Sequence, residues 1–261
     1  MRPRSDSTDG SPDRGPHSRA ARDGRAVGAA RPSGTNGASA GWARWTRVGA
    51  AVLDLVLPED CAGCGRQGTV CCADCLAVFD QPELVARGAE THALTRHRGT
   101  ARTLVVEHKE RRRRGLTRPL GDALAAAVPH LPTGRPDPAG TWWLVPVPSR
   151  PGAARQRGGP HLLGLARRCA ASMQAVGMPV AVAPALRLSA GAKDAVGLDR
   201  AGRAANLSGR LHVRPEACPP RGTPVVLLDD VVTTGATLSA CRATLAAAGI
   251  PTSAALTLTS A

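Results

Sequence analysis

A chain of 261 residues with 43% hydrophobic content suits one medium domain with appendages or two small ones. Its core has to be built from Ala, Val and Leu, because aromatics make up only 2% and Tyr is absent. A net charge of +14 attracts polyanions, either nucleic acid or polyphosphate substrates, although Arg-rich usage is also what a compositional bias gives. The charge is uneven: residues 1–48 carry +5 and residues 96–118 carry +7. The basic N-terminus has no apolar signal core, and the longest apolar stretch, residues 48–57, is interrupted by Asp54 and too short to span a bilayer. The expectation is a cytoplasmic protein without a membrane partner, its eight cysteines reduced.

Residues 1–40 are rich in Gly, Ser, Pro, Arg and Asp and have no hydrophobic period, which predicts a disordered basic tail. Trp42, Trp45, Val48, Val52 and Leu55 recur at three- and four-residue spacing, the pattern of one amphipathic helix. Cys61-x2-Cys64 and Cys72-x2-Cys75 follow, seven residues apart. Two such pairs supply four thiolates for a tetrahedral zinc site, with Cys71 as an alternative ligand to Cys72. Gly63 and Gly65 suit the tight knuckle between them. A closed four-thiolate site leaves no open position, so its role is structural. Zinc would contribute on the order of 10 kcal/mol to a segment too small to fold alone. The knuckle and its preceding helix occupy residues 41–80. Residues 81–140 read as a helical connector, helical from 99 to 128 with a break around residues 115–119, and carrying the run Lys109-Glu110-Arg111-Arg112-Arg113-Arg114. A charge run of this kind is also the composition of a solvated face.

Residues 141–261 read as strands near 142–147, 180–183, 211–214, 224–228 and 252–258 with helices between them, one from about 161 to 176. The stretch at 223–248 carries the chemistry. Four aliphatics, Val225 to Leu228, suit a buried parallel strand ending in Asp229 and Asp230. Val231, Val232, Thr233, Thr234, Gly235, Ala236 and Thr237 then lead into an Ala/Leu-rich helix, with Thr237 as a plausible N-cap. Strand, loop and helix N-terminus in that order make a phosphate cradle of unpaired amides and hydroxyls, and Gly235 permits positive φ and close approach. This loop has neither a Walker ending nor G-x-G-x-x-G. Paired carboxylates beside a phosphate site fit sugar hydroxyls or a developing cation.

The thirteen positions from 225 to 237 resemble the signature of type I phosphoribosyltransferases. The order of features over roughly residues 50–260 resembles ComF-type phosphoribosyltransferases, competence-associated proteins: a four-cysteine knuckle, a lysine-bearing helix, Val145-Pro146-Val147-Pro148, Arg155-x-Arg157-Gly158 and the C-terminal acid loop. The resemblance implies an α/β fold, a type I phosphoribosyltransferase-like, Rossmann-like parallel sheet flanked by helices, with a small zinc knuckle before it. It implies binding of phosphoribosyl pyrophosphate (PRPP) with Mg2+ and transfer of the phosphoribosyl group to an unidentified acceptor, releasing pyrophosphate. The loop Val231, Thr233, Thr234, Gly235, Ala236 and Thr237 would hold the 5-phosphate, and Asp229 and Asp230 the ribose and its developing charge. Ser149 and Arg150, in the turn after the strand at 142, and Lys109 would contact pyrophosphate, while Arg155 and Arg157 belong to a mobile flap. The chain departs from the family where Gly158-Gly159-Pro160-His161 replaces a Gly-Phe-Asn-Gln pattern. Lys193-Asp194 likewise stand where a glutamine is expected, whereas Arg200, Arg203 and Asn206 fit.

Two other classes fit the same residues. One is a PRPP-binding adaptor without transfer activity. The other is a nucleic-acid accessory that uses the knuckle and Arg run, beside a competence helicase or on DNA itself. No aromatics are interleaved with the arginines to stack bases.

Overall fold

The computed structural model describes residues 60–80, 83–86, 90–149, 160–189 and 209–261. The tail, the Trp42–Leu55 pattern, Arg150, Arg155, Arg157 and the stretch from Lys193 to Asn206 lie outside the described residues. Among the described residues no helix is long and apolar enough to cross a membrane.

Short aliphatic runs form strands, as their length dictates. They are β1 (Glu83–Ala86), β2 (Thr91–Arg96), β3 (Trp142–Pro146), β4 (Val180–Val182), β5 (Leu186–Leu188), β6 (Leu211–Val213), β7 (Val225–Val232) and β8 (Thr252–Ser260). The helices are α1 (Ala73–Leu76), α2 (Gly99–Lys109), α3 (Thr117–Ala127), α4 (His161–Ala175) and α5 (Ala236–Ala247). Six strands join one sheet in the order β1-β2-β8-β7-β3-β4, and only the edge pair β1–β2 is antiparallel. The result is an α/β fold with five parallel strands.

Three expectations are corrected. First, the sheet reaches into the stretch read as a helical connector, because β1 and β2 come from it and β2 pairs in parallel with β8. Second, the strand at residue 211 leaves the main sheet and pairs with β5 in a separate antiparallel ribbon. Third, the helical stretch breaks earlier than its Gly and Pro suggest. α3 starts at Thr117 with Pro119 in its first turn, where the missing N–H costs nothing.

The core is aliphatic. Leu94, Leu104, Leu120, Leu144, Leu165, Leu227 and Leu228 are fully buried, and β7 and β8 are covered on both faces like central parallel strands. α3 packs on α4 through Gly121, where a Cβ would sit 2.6 Å from Arg168 Cγ. Arg168 Nε and Nη2 in turn donate to the two oxygens of Asp122 at 2.7 and 3.0 Å, fastening the same pair of helices. α5 lies against β8 and the β6 ribbon. From β3 the chain moves outward to β4; from β7 it moves the opposite way, to β8. The carboxyl ends of β3 and β7 therefore flank a topological switch point, where an open α/β sheet leaves a crevice.

Candidate functional site

At that switch point the sequence-predicted acids occupy the end of β7. The strand does not stop before them: Asp229 pairs with Thr257, and Val231 and Val232 with Thr259 and Ser260, so the loop proper starts at Thr233. Gly235 has φ 73°, in the left-handed region, and caps α5. Thr237 is therefore inside the first helical turn and is not the N-cap expected of it. The first described backbone bond into this helix end is Ser239 N–H to Gly235 O at 2.9 Å. Thr233 and Thr234 are exposed, and Gly235, Ala236 and Thr237 half-buried, so this turn is open to solvent, with the Ala236 N–H donating to Thr234 Oγ1 at 3.4 Å. Such a helix end favours an anion. Val147 N–H donates to Leu228 O at 2.9 Å, which sets the turn carrying Ser149 beside the acids.

Asp230 is buried and its carboxylate is fully engaged. Lys109 Nζ, at the end of α2, lies 3.0 Å from Oδ1 and 2.9 Å from Oδ2, and His161 Nε2, the first residue of α4, lies 2.7 Å from Oδ2. The backbone N–H of Asp230 donates to Asp229 Oδ1 at 2.9 Å. Burial opposes charge on Asp230, but the His161 hydrogen bond and the Lys109 charge offset it and hold the carboxyl below the usual range. Asp229 goes the other way. Loss of solvation and the neighbouring charge of Asp230 push its carboxyl well up. The two neighbouring acids are thus shifted in opposite directions, Asp230 toward easier ionisation and Asp229 toward harder.

His161 is the residue that sequence reasoning missed as a site member. It appears there only as a departure from a family pattern, and its partner stands 69 positions later in the chain. Its Nδ1 is buried without a hydrogen-bond partner. Next to it, 6.0 Å between ring centroids, His108 is buried and bonded to Thr117 Oγ1 at 3.0 Å. Burial and the neighbouring His161 push the His108 imidazole down to about 4, so it is neutral near pH 7.

Among the described residues the acid pair does not assemble a Mg2+ donor set. Both oxygens of Asp230 face Lys109 or His161, and Asp229 Oδ1 already accepts from the Asp230 backbone N–H. The four cysteines do fit a metal: the Cys61, Cys64, Cys72 and Cys75 sulfurs all lie within 4.8 Å of one another, the donor set of zinc. Cys71 is not in the cluster; its Sγ faces the Cys72 carbonyl. Cys72 N–H donates to Cys61 Sγ at 3.3 Å, and Gly65, at φ 76°, closes the turn by donating to Cys61 O at 2.8 Å. Gly63 has to be glycine, because a Cβ there would stand 2.7 Å from Cys75 Sγ.

The arginine run divides its labour. Arg111 pairs with Glu107 at 2.6 Å, and Arg113 reaches the Asp60 carbonyl beside the knuckle. Arg112 and Arg114 line a cleft with Lys109 and His161. A scan against protein-family models finds no match for this chain, and neither does a search of curated proteins.

Proposed function

We propose that this protein binds PRPP and transfers its phosphoribosyl group to an acceptor with release of diphosphate, as its resemblance to ComF-type phosphoribosyltransferases implies. The observation that carries this reading is the switch-point arrangement: an acid pair at the end of β7, running directly into the Gly235 turn and the N-terminus of α5. In this reading the amides and hydroxyls of residues 233–237 hold the 5-phosphate, and Asp229 and Asp230 face the ribose. As the bond from the anomeric carbon to the diphosphate oxygen breaks and the acceptor's bond forms, positive charge develops on the sugar. A carboxylate held ionised, as Asp230 is by Lys109 and His161, stabilises that charge, while the acceptor gives up its proton. Lys109 acts through Asp230 here, whereas the sequence suggested a direct diphosphate contact.

A nucleic-acid face has less support. With Arg111 and Arg113 committed elsewhere, the run presents no continuous basic stripe. The test of the main reading is calorimetric titration of PRPP with Mg2+ into zinc-loaded protein, beside an Asp229→Asn/Asp230→Asn variant. Micromolar binding lost in the variant is expected. Equal binding by both proteins would remove the acid pair from the site.

A further inference from the structure

The α2–α3 connection and the start of α4 enclose a cleft of about 240 Å3, and none of residues 229–237 lines it. Its walls carry Lys109, Arg112, Arg114 and Arg167 together with His108 and His161, and no carboxylate. The two residues that grip Asp230 are therefore also cleft residues, while the loop after β7 stands outside.

Three features of this cleft call for a ligand. Cations gathered on facing walls repel one another unless an anion lies between them. Lys109 is paired with Asp230, but Arg112 and Arg167 have no ion pair among the described residues. Arg112 also holds φ 58°, a left-handed conformation that glycine would adopt without strain. Its place at the end of α2 brings the guanidinium to the cleft. Finally, His161 is pinned by its Nε2 to Asp230, while its Nδ1 is buried with no protein partner. With Nε2 directed at the Asp230 carboxylate, Nδ1 is the ring nitrogen left for a ligand. The volume falls below that of drug-sized sites and suits a small ion or metabolite.

We infer that this cleft is a second anion site, separate from the loop at 233–237, taking a small molecule with a phosphate or carboxylate group, a polar atom of which hydrogen-bonds to His161 Nδ1. On the transfer reading, on which this last step rests, that molecule is the acceptor, and the acceptor is an anion. Arg112 and Arg167 supply its charge recognition, and Asp230 orients the histidine that meets it.

The test uses the full, zinc-loaded chain labelled with 15N in its histidine rings. Inorganic phosphate and malonate are titrated separately while the His161 ring resonances, assigned with His161→Gln, are followed. Movement of these resonances by at least one anion is expected, and the tighter of the two identifies the charged group. An Arg112→Glu/Arg167→Glu variant should weaken that anion at least tenfold, with PRPP affinity within twofold of the parent. Both side chains are exposed, and an unchanged unfolding midpoint verifies the fold. An Arg112→Gln/Arg167→Gln pair should show a smaller loss of the same sign. The site is overturned if neither anion moves His161, or if the double variant titrates like the parent. If PRPP affinity falls in parallel, the cleft belongs to the diphosphate of PRPP and the acceptor assignment is wrong. If PRPP fails to bind while the anion still titrates the cleft, the anion site stands and the transfer reading falls.

Discussion

The cysteine knuckle and the Asp230 site are built on opposite plans. The knuckle draws its four sulfurs from residues 61–75 and closes them with bonds inside the same segment. The Asp230 site joins side chains 121 and 69 positions apart, and only the completed sheet and the packing of α2 and α4 bring them together. A local site fails when one of its own atoms is moved. A distributed site fails by degrees, as its supports shift. The first also tolerates no extra volume, while the second balances charges and is tuned by pH.

The largest effect should come from breaking the local plan. Cys75→Ser, or Gly63→Ala with its Cβ driven at the Cys75 sulfur, should abolish stoichiometric zinc in metal analysis and make thermal unfolding insensitive to chelator. Stoichiometric zinc in either variant would show that the four sulfurs do not form one site. Next comes Asp230→Asn, which strips Lys109 and His161 of their partner. The cost in urea unfolding should be about 2–3 kcal/mol, below that of a fully buried pair because Lys109 keeps some contact with water. PRPP affinity or turnover should fall by roughly tenfold or more.

The pH dependence separates the two acids. Asp230 has a depressed folded-state pKa, so its contribution is present above the unfolded carboxylate value near ~4 and lost as pH falls through the lower folded one. The stability gap between parent and Asp230→Asn should therefore close on acidification. Asp229 has a raised folded-state pKa, so the parent loses stability as pH rises through that value, and Asp229→Asn should flatten the decline. A parallel pH profile for both variants would deny the split. The smallest effect is Gly235→Ala. Nothing lies within 4 Å of the added Cβ, so the cost is conformational alone, about 1 kcal/mol in urea.

Legibility in the sequence follows the same division. The knuckle is readable because ligand type and spacing sit in one line of text. The strands at 142, 180, 225 and 252 are readable because each is a short aliphatic run between breakers. β1 and β2 were not, since a run such as Thr-His-Ala-Leu-Thr-Arg becomes a strand only once β8 is beside it. The ribbon partner of β6 was hidden for the same reason: Leu-Arg-Leu carries no record of which strand it will meet. Asp230 was legible as a charged residue at a strand end, but not as the clasp between α2 and α4. His161, a lone histidine at a helix start, carries no sequence signal that names its acid. The cleft cations were visible as a run, but which of them face inward depends on the turn at Arg112.

β8 occupies the middle of the sheet although it is the last of the described strands in sequence. Until it is made, β2 has no parallel neighbour and β7 has one open side. A growing chain on the ribosome thus holds two half-sheets, each with an exposed edge, and joins them only after residue 260 has emerged. The Thr91–Ala255 pairing closes a loop of more than a hundred and fifty residues, which makes it a late and slow event. The interval before it is when the chain is most exposed to edge-to-edge aggregation. The acid pair shares that schedule, since β8 also braces the backbone of both acids.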